Sequence, residues 1–475
     1  MNLFAVWYAI PMSLPIDPRI FRAYDIRGIA DQQLTRDACF QIAHAFGTEL
    51  QERYNIDRPR VCVGRDARTH SPAFEEAVIE GLCESGCDVF AIGQTPSPVN
   101  HFTVCTQKLD GGMQVTASHN PAGDNGLKLS TRGAEAFSGD ELQKLRKRIE
   151  QGRMRSAGNG EVRSYDGPDA YVAHLTKLFA GAGKGLTVVV DSGNGVAGPL
   201  YCEVLQKCGA KIIGLYTDPD GTFPNHPADP SKQETLKEAQ ALVTAQGADL
   251  GLGFDGDGDR LGCIDEAGNI RSADEILLLL AKDHLSRNRG KPVVFTVSNS
   301  GILDSEIRAL GGEPVMCKVG HSFVEHAMRH HKAQLGGEQS GHFFCGEDYF
   351  PFDDALVAAL RVLKIVKENA EPLGKLCDAF PAIHQTPEVR PFAPDEHKTR
   401  IIEDVTMHFG KTYPVITLDG ARIDFGDGSW ATIRSSNTAP RLSICIEARS
   451  PEVLKEIEKI VFDHLKKYPE IGWNE

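Results

Sequence analysis

The stretch Leu186-Thr-Val-Val-Val-Asp-Ser-Gly-Asn-Gly-Val-Ala-Gly-Pro-Leu-Tyr-Cys-Glu-Val-Leu-Gln-Lys-Cys-Gly209 reads as strand, polar loop and helix. The β-branched run Leu186–Val190 suits a buried strand, and Tyr201–Gly209 has helical periodicity. The same order occurs twice more. Val61–Val63 precedes GRDARTHSP and a helix with Phe74, Ala77, Val78 and Leu82 on one face. Val293–Val297 precedes SNSG and the helix ILDSEIRAL. Three such units predict three related α/β domains.

Each unit has a later strand running into a chemically rich loop. Met113–Val115 leads to Ser118, Ala248–Leu252 to Asp255, and Ala333–Leu335 to Glu338. Open α/β sheets bind ligands beyond the carboxyl ends of their strands, so three such ends facing one cleft would form a composite site. Beyond residue 384 the pattern changes to strands at Ala431–Ile433 and Leu442–Ile446 and a helix from Pro451, a small α+β domain. The expected domains are 1–160, 161–268, 269–384 and 385–475. Polar, Gly-rich 151–167 and Pro- and charge-rich 385–397 serve as connectors.

The 475 residues carry a net charge of -14, which argues against broad nucleic-acid or anionic-membrane binding. Twelve scattered cysteines show no paired metal spacing and read as reduced thiols in a cytoplasmic protein. The apolar start, MNLFAVWYAIPMSLP, lacks a basic n-region and is too short to span a bilayer, and Met12 is a candidate alternative start. No feature sets an oligomeric state.

Five motifs carry the chemistry. Thr116-Ala117-Ser118-His119-Asn120-Pro121 offers a hydroxyl at a strand end, exposed to a ligand, with His119 and Lys128 nearby; a turn serine capping its own loop is the plainer alternative. Asp255, Asp257 and Asp259 suit a hard divalent cation such as Mg²⁺. The run also fits the opening of an EF-hand, down to Glu266, but Arg260 stands where that loop needs Gly and the flanks read as strands. Glu338 and Ser340, two apart, would share one side of an extended loop and suit neighbouring sugar hydroxyls, with His342 as acid or base. Arg434-Ser-Ser436-Asn437-Thr438 combines a fixed cation with neutral donors, as a phosphate monoester requires. Tyr24-Asp-Ile-Arg27 adds an aromatic and a cation. A serine and a hard cation together point to phosphoryl transfer.

FRAYDIRG, TASHNP, DGDGDR, GEQSGH and RSSNTAP, in this order from about residue 19, resemble the motifs of the α-D-phosphohexomutase family. The resemblance implies three related mixed-sheet α/β domains and a smaller C-terminal α+β domain around a central cleft. It implies a phosphoserine at Ser118, which with Asp255, Asp257 and Asp259 would bind Mg²⁺. Glu338 and Ser340 would grip sugar hydroxyls, and Arg434, Ser436, Asn437 and Thr438 the non-reacting phosphate. Arg27, Lys128 and His342 would serve proton transfer and charge stabilisation, and Tyr24, Arg260 and His321 would bind substrate. The implied reaction moves phosphate between the 1- and 6-positions of a hexose phosphate through a hexose 1,6-bisphosphate, which is also the activator.

RSSNTAP and Phe352-Asp353-Asp354 look more like phosphomannomutase/phosphoglucomutases, favouring mannose and glucose phosphates. Gln339 in GEQSGH is closer to phosphoglucosamine mutases, and Ser298-Asn-Ser300 stands where bifunctional hexomutases tend to carry a Lys. A metal-dependent sugar phosphatase and a non-catalytic sugar-phosphate binder are the other readings. The first would release inorganic phosphate; the second would tolerate Ser118→Ala.

Overall fold

The computed structural model describes residues 16–382, 384–436 and 440–473. The alternative start at Met12 and the loop residues Asn437 and Thr438 lie outside them. The described chain forms two compact units, each assembled from two stretches of sequence: 1–272 with 340–374, and 273–339 with 375–475. The architecture is α/β, with mixed sheets in the α/β domains and an antiparallel sheet near the C-terminus.

The first unit holds two sheets. One is ordered Ile26–Ile29, Asp124–Thr131, Gly111–Val115, Arg60–Arg65, Asp88–Gln94, Val162–Ser164. Its last four strands are parallel, and Asp124–Thr131 returns antiparallel against Gly111–Val115. The second sheet repeats the plan: Thr187–Asp191 is parallel to Lys211–Leu215 and to Leu250–Phe254, and Leu261–Ile264 returns antiparallel. Parallel neighbours bring their carboxyl ends side by side. The loop after Arg60–Arg65 therefore adjoins the serine loop after Gly111–Val115, with Arg65 opposite Val115.

Local sequence sets the helix ends. Thr35 caps Arg36–Tyr54 by accepting from Ala38 N, and Gly86, at φ 99°, ends Ser71–Ser85 in the left-handed region glycine favours. Asp354 caps Ala355–Asn369 by accepting from Val357 N. The 151–167 segment departs from a plain connector. Met154 is buried against the first core, Arg155 N donates to Thr48 Oγ1 at 3.0 Å, and Val162–Ser164 extends the sheet edge. Backbone bonds from Ala157 N and Gly158 N to Glu84 O add to these contacts, so the polar stretch is pinned along its length.

In the second unit, Pro292–Thr296 lies parallel between Glu313–Cys317 and Leu335–Gly337. The C-terminal sheet runs His384–Gln385, Leu442–Ala448, Ser429–Ser435, Ala421–Gly426, Val415–Ile416, all antiparallel. The helices Asp395–Phe409 and Pro451–Leu465 cover it through Ile401, Val405, Ile457 and Val461. Residues 385–397 are likewise more than a linker, since Val389 and Phe392 bridge to Ile444 and Arg441. The expected strands begin or end a residue or two early at Leu186–Val190, Ala248–Leu252 and Ala333–Leu335. The paired strands run further toward the chemical loops, to Asp191, Phe254 and Gly337. All twelve cysteines are free, and most are buried. No helix among the described residues is long and apolar enough to cross a membrane.

Candidate active site

Ser118 follows Gly111–Val115 in a turn that places it at φ 51°, a left-handed conformation uncommon for serine. Its N–H donates to Thr116 Oγ1 at 2.9 Å, and Asn120 N donates to Ala117 O at 3.0 Å. The expectation of an exposed serine is corrected: Ser118 is 1 % exposed. The acidic loop covers it. A Cβ on Gly256 would stand 2.4 Å from Ser118 O, so only glycine allows that approach.

Ser118 Oγ donates to Asp255 Oδ2 at 2.6 Å and lies 3.2 Å from His119 Nδ1. Asp255 Oδ1 accepts the backbone N–H groups of Gly258, Asp259 and Arg260 at 3.0–3.1 Å. These bonds wind the loop around its own first carboxylate. The flanking segments Leu250–Phe254 and Leu261–Ile264 are strands, which removes the EF-hand alternative, and Glu266 instead accepts from Gly374 N. Carboxylate oxygens of Asp255, Asp257 and Asp259 all lie within 4.8 Å of one another, wholly buried.

Three buried acids repel one another and need a counter-charge. Lys128, opposite Gln114 on the return strand, supplies one. Its Nζ donates to Asp257 Oδ2 at 2.6 Å and to Asp259 Oδ2. Burial works to lower the Lys128 pKa, but Asp257 and Asp259 outweigh it and hold the ammonium charged above its ordinary range. Ser97 Oγ also donates to Asp257 Oδ2, at 2.6 Å, whereas Asp257 Oδ1 is buried without a hydrogen-bond partner. Burial, then Asp259 and Asp257, raise the Asp255 pKa. Hard oxygen donors, clustered and incompletely satisfied, fit a divalent cation.

Arg27 Nε donates to Asp25 Oδ2 at 2.6 Å, and Nη1 donates to Asn120 Oδ1 at 2.9 Å and Ala117 O at 3.2 Å. Burial followed by Arg260 and Arg27 depresses the His119 pKa, so its ring is neutral beside Ser118. His342 Nε2 lies 3.3 Å from Asp259 Oδ1 and 3.3 Å from Arg260 Nε, and its Nδ1 lies 2.9 Å from Ser340 Oγ. Asp353, whose pKa burial and then Asp259 push up to about 7, stands 3.8 Å from the same Nε2. Tyr24 is half-buried.

In the second unit, Glu338 follows Leu335–Gly337 and is buried, accepting from Gly320 N at 2.7 Å. His321 opens the adjoining helix His321–His331. The extended loop expected for Glu338–Ser340 is corrected. Residues 339–340 form a turn and Gly341 takes φ 91°, so strand alternation does not relate the two side chains. The loop Ser298–Gly301 is held by Arg422, whose Nη1 donates to Val297 O and, at 2.9 Å, to Asn299 O. Arg434 is the penultimate residue of Ser429–Ser435, with Nη2 3.7 Å from Glu388 Oε1. Ser436 Oγ accepts from Arg390 Nη2 at 2.9 Å, and Ser436 O accepts from Lys398 Nζ at 3.0 Å. Arg390 and Lys398 are cations the motif reading missed. They lie 46 and 38 residues upstream of Ser436, in a segment where Asp395 and Glu396 offset the cations, so no local pattern marked them.

Mixed α/β sheets, a serine set against a buried acidic triad, and a separate cationic loop define the phosphohexomutase class. The comparisons agree throughout the chain. Residues 18–156, 169–268 and 272–383 match phosphoglucomutase/phosphomannomutase alpha/beta/alpha domains I, II and III, and 378–464 match the family's C-terminal domain. A phosphomannomutase/phosphoglucomutase of Pseudomonas aeruginosa is 39% identical over 449 residues, 94% of this chain and 95% of that protein. A phosphoglucomutase of Neisseria gonorrhoeae is 35% identical, covering 96% of this chain and 98% of that one. A crystal structure of a family protein from Burkholderia thailandensis superposes with a TM-score of 0.87 at 36% identity, over 95% and 98% of the two chains. The chain belongs to the phosphoglucomutase/phosphomannomutase family.

Proposed function

We propose that the protein interconverts the 1- and 6-phosphates of mannose and glucose through a phosphoserine at Ser118. The observation that carries this reading is the 2.6 Å bond from Ser118 Oγ to Asp255 Oδ2 inside the acidic triad. Phosphoserine transfers its phosphoryl group to the free hydroxyl of a hexose phosphate: the P–O bond to Oγ breaks as one to the sugar forms, and Oγ gains a proton. The hexose 1,6-bisphosphate turns over and returns its other phosphate to Oγ. In that return step Oγ attacks phosphorus, the P–O bond to the sugar breaks, and the proton lost from Oγ balances the one that the released sugar oxygen gains. Lys128 and Arg27 are fixed cations that offset charge on the transferring group, and His342 carries the sugar-hydroxyl proton. Mg²⁺ held by Asp255, Asp257, Asp259 and a phosphoserine oxygen would supply Lewis-acid stabilisation of that charge. Burial of Ser118 keeps water from the phosphoserine.

Glu338 and Ser340 are proposed to bind sugar hydroxyls. Tyr24, Arg260 and His321 are proposed to contact substrate. Arg434, Ser436, Asn437 and Thr438 hold the non-reacting phosphate, joined by Arg390 and Lys398. The segments 1–160, 161–268, 269–384 and 385–475 are the proposed serine, metal, sugar and phosphate domains.

The test is mutase flux on mannose 1-phosphate, glucose 1-phosphate and glucosamine 1-phosphate, with Mg²⁺ and a hexose 1,6-bisphosphate primer. Turnover of the first two that disappears in Ser118→Ala is expected. Preference for the amino sugar overturns the substrate assignment, release of inorganic phosphate favours a phosphatase, and flux retained by Ser118→Ala removes the phosphoserine.

A further inference from the structure

The guanidinium of Arg68 is fully buried, with no exposed side-chain surface, and is not among the groups assigned to the chemistry above. An arginine has five N–H donors in a planar fork, and all five are used here. Nε donates to Asp66 Oδ2 at 3.1 Å. Nη1 donates to Pro121 O at 2.5 Å and Asp124 O at 3.0 Å; Nη2 donates to Ser118 O at 2.8 Å and Asn120 O at 2.6 Å. Four of the five bonds thus end on backbone carbonyls of one loop, the loop that carries Ser118. Asp66 is fixed in turn, since its Oδ1 accepts Arg68 N at 3.0 Å and Ser71 Oγ at 2.6 Å. The reach is set by the sheet, because the two loops leave neighbouring parallel strands.

Ser118 at φ 51° holds a conformation that persists only where its surroundings over-determine it. Anchoring its own carbonyl, and those at 120, 121 and 124, fixes the peptide planes after it and so the direction of Oγ. We propose that Arg68 is a positioning residue that locks the serine loop, aiming Ser118 Oγ at the acidic triad while touching no reacting atom. The proposal rests on the reading of Ser118 as phosphoryl carrier. A lysine ends in one compact ammonium and cannot span four carbonyls in a plane, so it is not a conservative replacement.

The test uses full-length Arg68→Lys and Arg68→Met. Ser118 phosphorylation is counted by intact mass after incubation with glucose 1,6-bisphosphate. Then kcat per phosphorylated site, KM, and the rate of phosphate loss to water are measured. Expected are a cooperative melt, KM within about threefold of wild type, and kcat per site lower by about 100-fold, the scale of a 1 Å misplacement. Faster phosphate loss from the loosened loop is expected as well. A purely structural role would reduce the number of phosphorylatable sites and leave kcat per site unchanged, which overturns the proposal. Should both variants fail to fold, Asp66→Asn, which removes the carboxylate paired with Nε and leaves the four carbonyl acceptors of Arg68 in place, is expected to show the same split with a smaller fall, and unchanged kcat per site there also overturns it. Wild-type protein that takes no phosphate at Ser118 overturns the functional reading and this proposal with it, whereas phosphorylated variants at full kcat overturn only the role of Arg68.

Discussion

Lys128 is the residue on which the acidic triad depends. Its ammonium bonds to Asp257 and Asp259, and all three side chains are almost fully buried. Removing one partner of a buried pair costs ~3–5 kcal/mol, because the remaining charge is left uncompensated. Lys128→Met is therefore expected to lower stability by about that much without divalent cation, and added Mg²⁺ should raise its Tm more than it raises that of wild type. Equal Mg²⁺ shifts in the two proteins would mean that Lys128 and the cation do not share the carboxylates. The triad itself was legible because DGDGDR packs its chemistry into six residues, and Asp255 closes the loop with backbone bonds only three to five residues away. The roles of Arg68 and Lys398 were not, since Arg68 meets the carbonyl of Ser118 50 residues away and Lys398 that of Ser436 38 residues away. The one signal for Arg68 was its place in a polar loop after a buried strand, a position it shares with many residues of no consequence.

At the scale of elements, the helices Asp395–Phe409 and Pro451–Leu465 meet through His408 and His464, stacked with ring centroids 3.9 Å apart. Phe409 packs edge-on to His464, and Tyr468 Oη lies 3.4 Å from its Nε2. Burial, then His408 and Lys467, lower the His464 pKa to about 4, against a weaker opposing effect of Asp404. The unfolded chain titrates near 6.5. Between those values the unfolded state binds the extra proton, so this contribution to stability is lost as pH falls from about 6.5 to about 4. Buried Asp274 and Asp354 act oppositely: burial raises each to about 6, so they gain stability on acidification. The comparison that isolates His464 is wild type against His464→Phe. The wild-type Tm should fall further between pH 7 and pH 5 than that of the variant, and parallel curves would refute the assignment. Helices of this kind were readable from periodicity and from Pro at the first turn, as at Pro451. Strand ends were less so, because pairing with a neighbour, which no local pattern encodes, carries Leu250–Phe254 and Leu335–Gly337 on into their loops.

For the whole molecule, motif order along the chain suggests contiguous domains, yet each compact unit draws on two separated stretches. Residues 340–374 complete the first unit. Their helix Ala355–Asn369 buries Leu356, Val357, Leu360, Val362, Leu363, Ile365 and Val366. Its cap Asp354 accepts from Tyr171 Oη at 2.9 Å, Lys367 Nζ donates to Gly181 O at 2.8 Å, and Gly374 N donates to Glu266 Oε2 at 3.0 Å. A break at residue 268, where the sequence pattern changes, would strip these partners from Tyr171, Gly181 and Glu266. At ~1.5 kcal/mol for each of the aliphatic side chains, the loss is roughly 10 kcal/mol, comparable with the ~5–15 kcal/mol that stabilises a typical domain. A fragment of residues 1–268 is therefore expected to melt well below the full chain and to bind a hydrophobic dye. If 1–268 instead unfolds in a sharp transition within about 5 °C of the full chain, a difference worth only ~1 kcal/mol for a domain of ordinary size, the returning segment contributes little and the first unit is contiguous after all.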